Sequence, residues 1–175
     1  VVLGATNYIT VDKIAEQAAI ANDQARRSVL SQAQEFTMLE GQEISELLAK
    51  ADYDSVREVY EAKADGNTVG YAIKTSPKGY GGEIEVMVGV DTEGKVTGIN
   101  VGNNSETPGL GQNATKPEFQ AQYTGKNWND GINVIKNGTP KDNEIVAIAG
   151  ATITSSAVTN GVNQALNLAK ELSGN

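Results

Sequence analysis

The chain has 175 residues, of which 39% are hydrophobic and 21% charged, and its formal net charge is −8. This length and balance are typical of a folded domain with a buried core, not of a disordered chain. The negative charge excludes the basic surface that binding to a nucleic-acid backbone requires. The sequence has neither His nor Cys, which excludes a Ser-His-Asp triad, a thiolate nucleophile and a cysteine-ligated metal. Redox or acid–base chemistry would have to come from carboxylates, hydroxyls or a borrowed cofactor. We expect no metal site and assign no catalytic residue.

Residues 1–50 are expected to form an N-terminal helical segment. Thr10 is a suitable N-cap for a helix that continues without Gly or Pro to about residue 39. One face of this helix is predicted to be Ala-rich, with Ile14, Ala18, Ala21 and Ala25. Such a thin face predicts either weak packing or contact with a partner. A shorter helix is expected at 43–50. The apolar residues 1–5 are too few to span a membrane; they are either the end of a transmembrane helix or a terminal strand.

The middle of the chain changes to the two-residue period of β-strands. Four strands are expected, at residues 56–63, 69–74, 84–90 and 95–101. The sequence D-G-N at 65–67 favours a hairpin between the first two strands. In the third strand, Glu83 and Glu85 lie opposite the apolar residues, and we expect their face to be solvated. The short connections predict antiparallel pairing.

The C-terminal part of the chain is expected to return to regular structure after a loop-rich stretch over 102–140. A short buried strand is predicted at 144–149, followed by a helix. The apolar stripe of this helix consists of Val158, Val162, Ala165, Leu166, Ala169 and Leu172. Strands followed by helices predict an α+β fold, with an antiparallel sheet flanked by helices and by the N-terminal helix.

A first candidate site lies at G-L-G-Q-N-A over 109–114, which has the letters of a dinucleotide-binding fingerprint. The context excludes that function, because Pro108 precedes the motif, Pro117 follows it, and no parallel βαβ unit surrounds it. The preceding Glu106 and Thr107 nevertheless make the turn unusually specific. Proline fixes the backbone and the glycines permit close approach, which suits a planar or anionic ligand.

A second candidate site is the segment 149–155, between the last strand and the last helix. The free amides and positive dipole end of a helix N-terminus favour an anion. Small residues at 149–151 leave the Thr152 hydroxyl accessible. The alternative is that Thr152, Thr154 and Ser155 merely compete to cap the helix. The residues alone leave both interpretations open.

Together, S-E-T-P-G-L-G at 105–111 and G-A-T-I-T-S at 150–155 resemble the FMN-binding domain family. The resemblance covers about residues 55–172, including G-Y-G-G at 79–82. This family includes subunits of ion-translocating oxidoreductases of the Rnf and sodium-pumping NADH:quinone reductase types. The resemblance implies an electron-transfer subunit that is not a complete enzyme alone, with residues 51–175 as its FMN-binding domain.

The resemblance also implies that a flavin transferase attaches FMN to Thr152 through a phosphoester, and that the 105–111 loop lies against the flavin. The implied cofactor-binding residues are Thr152, Gly150, Ala151, Thr154, Glu106, Thr107, Gly109, Leu110 and Gly111. Family members usually carry Asp at the position of Val146 and Ser or Thr at the position of Ala149. The Asp is part of what the transferase recognises. The alternative function is therefore a structural or interaction module without covalent flavin.

Membrane attachment is a further implication of the resemblance. The resemblance implies one N-terminal transmembrane helix, and residues 1–5 would then be its end, with the rest of that helix expected to lie outside this chain. Residues 10–39 would then form a juxtamembrane helix. The domain is expected on the extracytoplasmic side of the cell membrane, with other membrane subunits of the complex as partners.

Overall fold

The computed structural model describes residues 2–174, with side chains from residue 16 onward. The helices of this part of the chain are α1 (Val2–Val29), α2 (Gln42–Leu48), α3 (Pro117–Gln120) and α4 (Thr152–Leu172). Its strands are β1 (Glu35–Met38), β2 (Val56–Ala64), β3 (Asn67–Thr75), β4 (Ile84–Asp91), β5 (Val96–Asn104), β6 (Asn133–Ile135) and β7 (Glu144–Val146). Short 3-10 helices lie at Ala51–Tyr53, Gly111–Thr115 and Ala121–Tyr123. The predicted α+β fold is confirmed.

One antiparallel sheet forms the centre of the fold. Strands β1 to β5 lie side by side in sequence order. The hairpin between β2 and β3 turns through Asp65 and Gly66, whose φ angles of 51° and 79° are both positive. Positive φ at both central residues is what a tight two-residue hairpin turn requires. The four predicted central strands and their antiparallel pairing are therefore confirmed.

Helix α4 covers one face of the sheet and forms the main core with it. The apolar stripe predicted for this helix is buried apart from Leu172, which is half-buried at its end. It packs against the inward side chains of β4, such as Val86 and Val88, neither of which is exposed at all. This packing fixes the position of α4, and with it the position of the start of the helix.

The C-terminal end of α1 covers part of the opposite face of the sheet. Val29 and Leu30 are buried there in a second apolar cluster together with Met87 of β4. The predicted solvation holds for Glu83, which is exposed, and for the side chain of Glu85, which is 42% exposed. Further along β4 the same face is buried at Met87. The reason is tertiary, since a helix from the distant N-terminus packs over the strand.

The N-terminal segment differs from the prediction. The predicted cap Thr10 lies inside α1, and the helix ends at Val29 instead of near residue 39. Residues that were expected to continue the helix form β1 instead, which pairs with β2 at the edge of the sheet. Pairing with a strand distant in sequence overrides the local helical pattern here. Helix α2 forms close to the expected position.

Weak packing of the predicted alanine face is confirmed for the described residues. Ala18 and Ala21 are exposed, and Ala25 is half-buried against the second cluster. The side chain of Ile14 lies outside the described residues, as do the side chains of residues 1–5. Within the described part of the chain, no helix is long and apolar enough to cross a membrane.

The loop-rich stretch and the predicted strand at 144–149 form a small second sheet. Strand β7 covers only the first half of the predicted range and pairs in parallel with β6. The sequence did not predict β6, because three residues are too few to show a period. Residues 147–151 leave the strand and lead directly into α4.

We predict that Gly89→Ala weakens the docking of α1 on the sheet. A Cβ atom at Gly89 would lie 2.4 Å from the carbonyl oxygen of Val29, so α1 would have to move. We expect the free energy of unfolding in urea to fall by about 1–3 kcal/mol. Gly102→Ala is the control, since a Cβ there meets nothing closer than 3.8 Å. Equal unfolding curves for the two variants would contradict this account.

Candidate functional site

The start of α4 presents unpaired backbone N–H groups. The helix begins at Thr152, and its N-cap, Ala151, makes no side-chain capping hydrogen bond. The N–H groups of Thr152, Ile153 and Thr154 have no acceptor within the described residues. Gly150, with φ 74°, turns the chain into the helix. These amides and the positive end of a 21-residue helix dipole form a favourable place for an anion.

The hydroxyl groups near the start of α4 differ in their exposure and in their hydrogen bonds. Ser155 is buried, donates to the carbonyl of Ala151 at 3.0 Å and accepts from the N–H of Ile148 at 3.0 Å. Thr154 is 1% exposed and donates to a carboxylate oxygen of Glu106. Thr152 is partly exposed, and its hydroxyl makes no hydrogen bond to another described residue. Of the hydroxyls at 152, 154 and 155, that of Thr152 is therefore the one that a ligand can reach.

The prediction that Thr154 or Ser155 caps the helix is wrong. Both residues lie inside its first turn, because the helix begins two residues earlier than expected. A serine inside a helix bonds back to a carbonyl of the preceding turn, as Ser155 does with Ala151. Both hydroxyls thus stabilise the entry into the helix without occupying its free N–H groups.

The 105–111 loop folds over the start of α4. Its residue Glu106 is 5% exposed and accepts a hydrogen bond from the N–H of Gly81 at 2.8 Å. The 79–82 turn is closed by a bond from the N–H of Gly79 to the carbonyl of Gly82 at 2.7 Å. The loop, the turn and the first turn of α4 are therefore joined through one side chain.

A cleft of about 530 Å³ lies between these three segments. Its lining residues are Tyr80, Glu106, Thr107, Leu110, Gly111, Gly150, Ala151, Thr152, Ile153 and Thr154. The structure thus brings together eight of the nine residues expected at a cofactor site. Gly109 does not line the cleft but forms the turn beside it with φ 77°.

Two lining residues, Tyr80 and Ile153, were not among the expected site residues. Tyr80 lies in the glycine-rich turn at 79–82, and the glycine content of this turn was the feature of the sequence that could have pointed to it. Ile153 gave no signal, since an exposed isoleucine at a helix start resembles any other helical residue. Both belong to a larger apolar surface.

The mouth of the cleft is the most apolar exposed region in the described part of the chain. The described part of the chain exposes five large apolar side chains, and three of them flank the cleft. They are Tyr80, Leu110 and Ile153, with exposed fractions of 72%, 43% and 57%. Exposed apolar groups that converge on a cleft are typical of a ligand-binding surface.

These features fit FMN. A volume of this size lies within the range of about 300–1,000 Å³ that is usual for ligand sites. The apolar side chains suit a flat heteroaromatic ring, and the free amides of α4 suit its phosphate. Neither Lys nor Arg lines the cleft, so the helix N-terminus is the positive group available to the phosphate among the lining residues.

The segment that leads into α4 is held through its backbone at Val146. The side-chain amide of Gln122 accepts from the N–H of Val146 at 2.8 Å and donates to its carbonyl at 3.2 Å. Ala149 is exposed, three residues before Thr152. The fixed entry into the helix is therefore independent of the side chains at these two positions.

Comparison with known proteins identifies the family. A model of the FMN-binding domain matches residues 79–167, just over half of the chain and all of the cleft. The chain is 39% identical to the G subunit of the Na⁺-translocating ferredoxin:NAD⁺ oxidoreductase complex of Acetobacterium woodii, over 98% of this chain and 84% of that protein. The G subunit of the proton-translocating complex of Clostridium ljungdahlii is 33% identical, over 99% and 85%. The chain belongs to the FMN-binding domain family.

Solved structures agree with this assignment at the level of the fold. The crystal structure of NqrC from Shewanella oneidensis superposes with a TM-score of 0.61 at 18% identity, covering 87% of this chain and 99% of that one. The C subunit of the Na⁺-translocating NADH-quinone reductase of Parabacteroides distasonis gives a TM-score of 0.57 at 25% identity, covering 81% and 75%. The resemblance drawn from the two sequence motifs is confirmed.

We predict that Ser155→Ala destabilises the entry into α4. The substitution leaves the N–H of Ile148 without its acceptor, and a polar group left unpaired costs about 1–3 kcal/mol. The free energy of unfolding in urea measures this loss. Ser156→Ala is the matched control, because Ser156 is exposed on the same helix turn. An equal effect of the two substitutions would contradict the role given to Ser155.

Proposed function

We propose that this chain carries FMN on Thr152 as a phosphoester and transfers electrons as a subunit of a membrane-bound, ion-translocating oxidoreductase of the Rnf type. The observation that carries the proposal is the state of the hydroxyls at the start of α4. Thr154 and Ser155 are buried and hydrogen-bonded, whereas Thr152 is accessible beside three free backbone N–H groups. A phosphate on Thr152 would meet these groups directly.

The attachment step uses this hydroxyl as the nucleophile. A flavin transferase acting on FAD would bring the flavin-side phosphorus to Thr152. The Thr152 oxygen forms a bond to that phosphorus, the pyrophosphate bond breaks, and AMP leaves with the bonding electrons. The hydroxyl proton passes to a base or to solvent. The free amides of α4 stabilise the negative charge on the phosphoryl oxygens.

The other cleft residues would hold the flavin ring. Bound FMN supplies the electron-transfer chemistry that a chain without His and Cys lacks. Leu110 and Ile153 line the cleft with exposed apolar side chains, and Tyr80 adds an aromatic face. Gly111 and Gly150 line the cleft with backbone alone. The bound flavin would carry the electrons, and the subunit would act as a relay.

The proposed place in a larger assembly rests on the relatives. These relatives are G subunits of ferredoxin:NAD⁺ oxidoreductase complexes, and they match this chain over almost its whole length. We assign residues 51–175 to the FMN-binding domain and residues 1–50 to an N-terminal segment that connects it to membrane subunits. The domain would lie on the extracytoplasmic side, where the flavin transferase acts.

A second candidate function is a structural or interaction module of the same complex without covalent flavin. Val146 and Ala149 favour it, because they replace the Asp and the Ser or Thr that family members usually carry. The accessible Thr152 hydroxyl beside the unpaired N–H groups of the first helical turn supports the first function instead.

The two functions predict different results for variants at Thr152. We expect the chain co-produced with a flavin transferase to keep visible flavin absorbance after denaturation and desalting. Thr152→Val should abolish the retained flavin, because it removes the hydroxyl at almost constant volume. Thr152→Ser should retain flavin, because it keeps the nucleophilic oxygen.

Ser156→Ala serves as the control, since it removes an exposed hydroxyl from the same helix turn and should load normally. Stoichiometric flavin on denatured Thr152→Val would contradict attachment at Thr152. A colourless wild-type chain, with the transferase active on another family member, would favour the module without covalent flavin.

A further inference from the structure

The carboxylate of Glu106 is a buried charge without a cationic partner. Among the side chains that the structure describes, no Lys or Arg forms an ion pair with it. Its oxygens accept hydrogen bonds from the N–H of Gly81 and from the hydroxyl of Thr154. Burying an acidic group costs free energy unless it is hydrogen-bonded or paired, so these two bonds keep it in place.

Glycines make room for this carboxylate on two sides. A Cβ atom at Gly79 would lie 2.4 Å from one oxygen of Glu106, and a Cβ at Gly111 would lie 2.4 Å from the other. Both distances are shorter than any normal contact. The N–H of Glu106 in turn donates to the side chain of Asn104 at 3.2 Å. The surroundings are therefore shaped to hold an acidic side chain.

Glu106 also lines the cleft proposed to hold the flavin. It is the only charged residue among the lining residues, and no cation accompanies it there. A charge acts over a longer range in a poorly solvated cleft than in water, because the surroundings screen it less. The charge next to a flavin ring is one of the means by which a protein adjusts its redox properties.

We propose that Glu106 lowers the reduction potential of the flavin held on Thr152. The proposal rests on the proposed function, since it needs a flavin in the cleft. Reduction brings two electrons from a reductant, with protons from solvent, onto the ring. A fixed negative charge beside the ring opposes this added electron density. Through its bonds to Gly81 and Thr154, Glu106 is at the same time a positioning residue for the cleft.

The test is a redox titration of the flavin-loaded protein with dithionite and reference dyes. Glu106→Gln removes the charge but keeps the size and an oxygen that accepts from Gly81. We expect the two-electron potential to rise by about 30 mV or more, which corresponds to a tenfold change in the equilibrium constant. Glu118→Gln removes an exposed carboxylate outside the cleft and should leave the potential unchanged.

Glu106→Asp separates charge from position. It keeps the charge on a shorter side chain, so its potential should stay near that of the wild type even though its bonds to Gly81 and Thr154 weaken. The urea unfolding curve of each unloaded variant reports the structural role independently. Coinciding potentials for wild type and Glu106→Gln would overturn the proposal.

Equal shifts for Glu106→Gln and Glu106→Asp would also overturn it, because a structural disturbance would then explain both. If the Glu106→Gln protein carries no flavin while the Glu106→Asp protein is loaded, the negative charge is needed for flavin attachment. That result would contradict the role of Glu106 in setting the potential. A wild-type chain without any flavin is a different result, since it contradicts the proposed function itself.

Discussion

The hydrogen bond from Thr154 to Glu106 determines how the start of α4 is used. This bond engages the hydroxyl of Thr154, which the sequence offers as a candidate helix cap. The hydroxyl of Ser155 is engaged in the same way by hydrogen bonds with Ala151 and Ile148. The first-turn amides of the helix are therefore left without protein partners among the described residues. Among the hydroxyls at 152, 154 and 155, that of Thr152 remains accessible beside them. The site follows from which polar groups the fold satisfies and which it leaves free.

The rest of the fold keeps this arrangement rigid. The apolar stripe of α4 packs on the sheet, and the hydroxyls of Tyr123 and Thr159 share a hydrogen bond of 2.8 Å in the first half of the helix. Burial raises the pKa of the Tyr123 phenol above its usual range, so this group stays a neutral hydrogen-bonding partner at physiological pH. A site on such a scaffold can hold a cofactor in one orientation.

Much of this structure is predictable from the sequence, and the exceptions have physical reasons. The D-G-N turn and the alternation of 84–90 predict the central hairpins, because those signals are local. Strand β1 depends on pairing with β2, and burial of Met87 depends on α1, so neither is visible in a local pattern. The two motifs locate the cleft through glycines and hydroxyls. The exposure of Tyr80 and Ile153 needed the folded chain.

Mapping the flavin onto the chain tests the central claim most directly. The protein is co-produced with an active flavin transferase, digested with trypsin and analysed by tandem mass spectrometry. The account predicts that the peptide spanning 142–170 gains the mass of one FMN less one water, and that its fragments locate the gain on Thr152. Flavin located on any other residue, or an unmodified peptide while a control family member is loaded, would contradict the account.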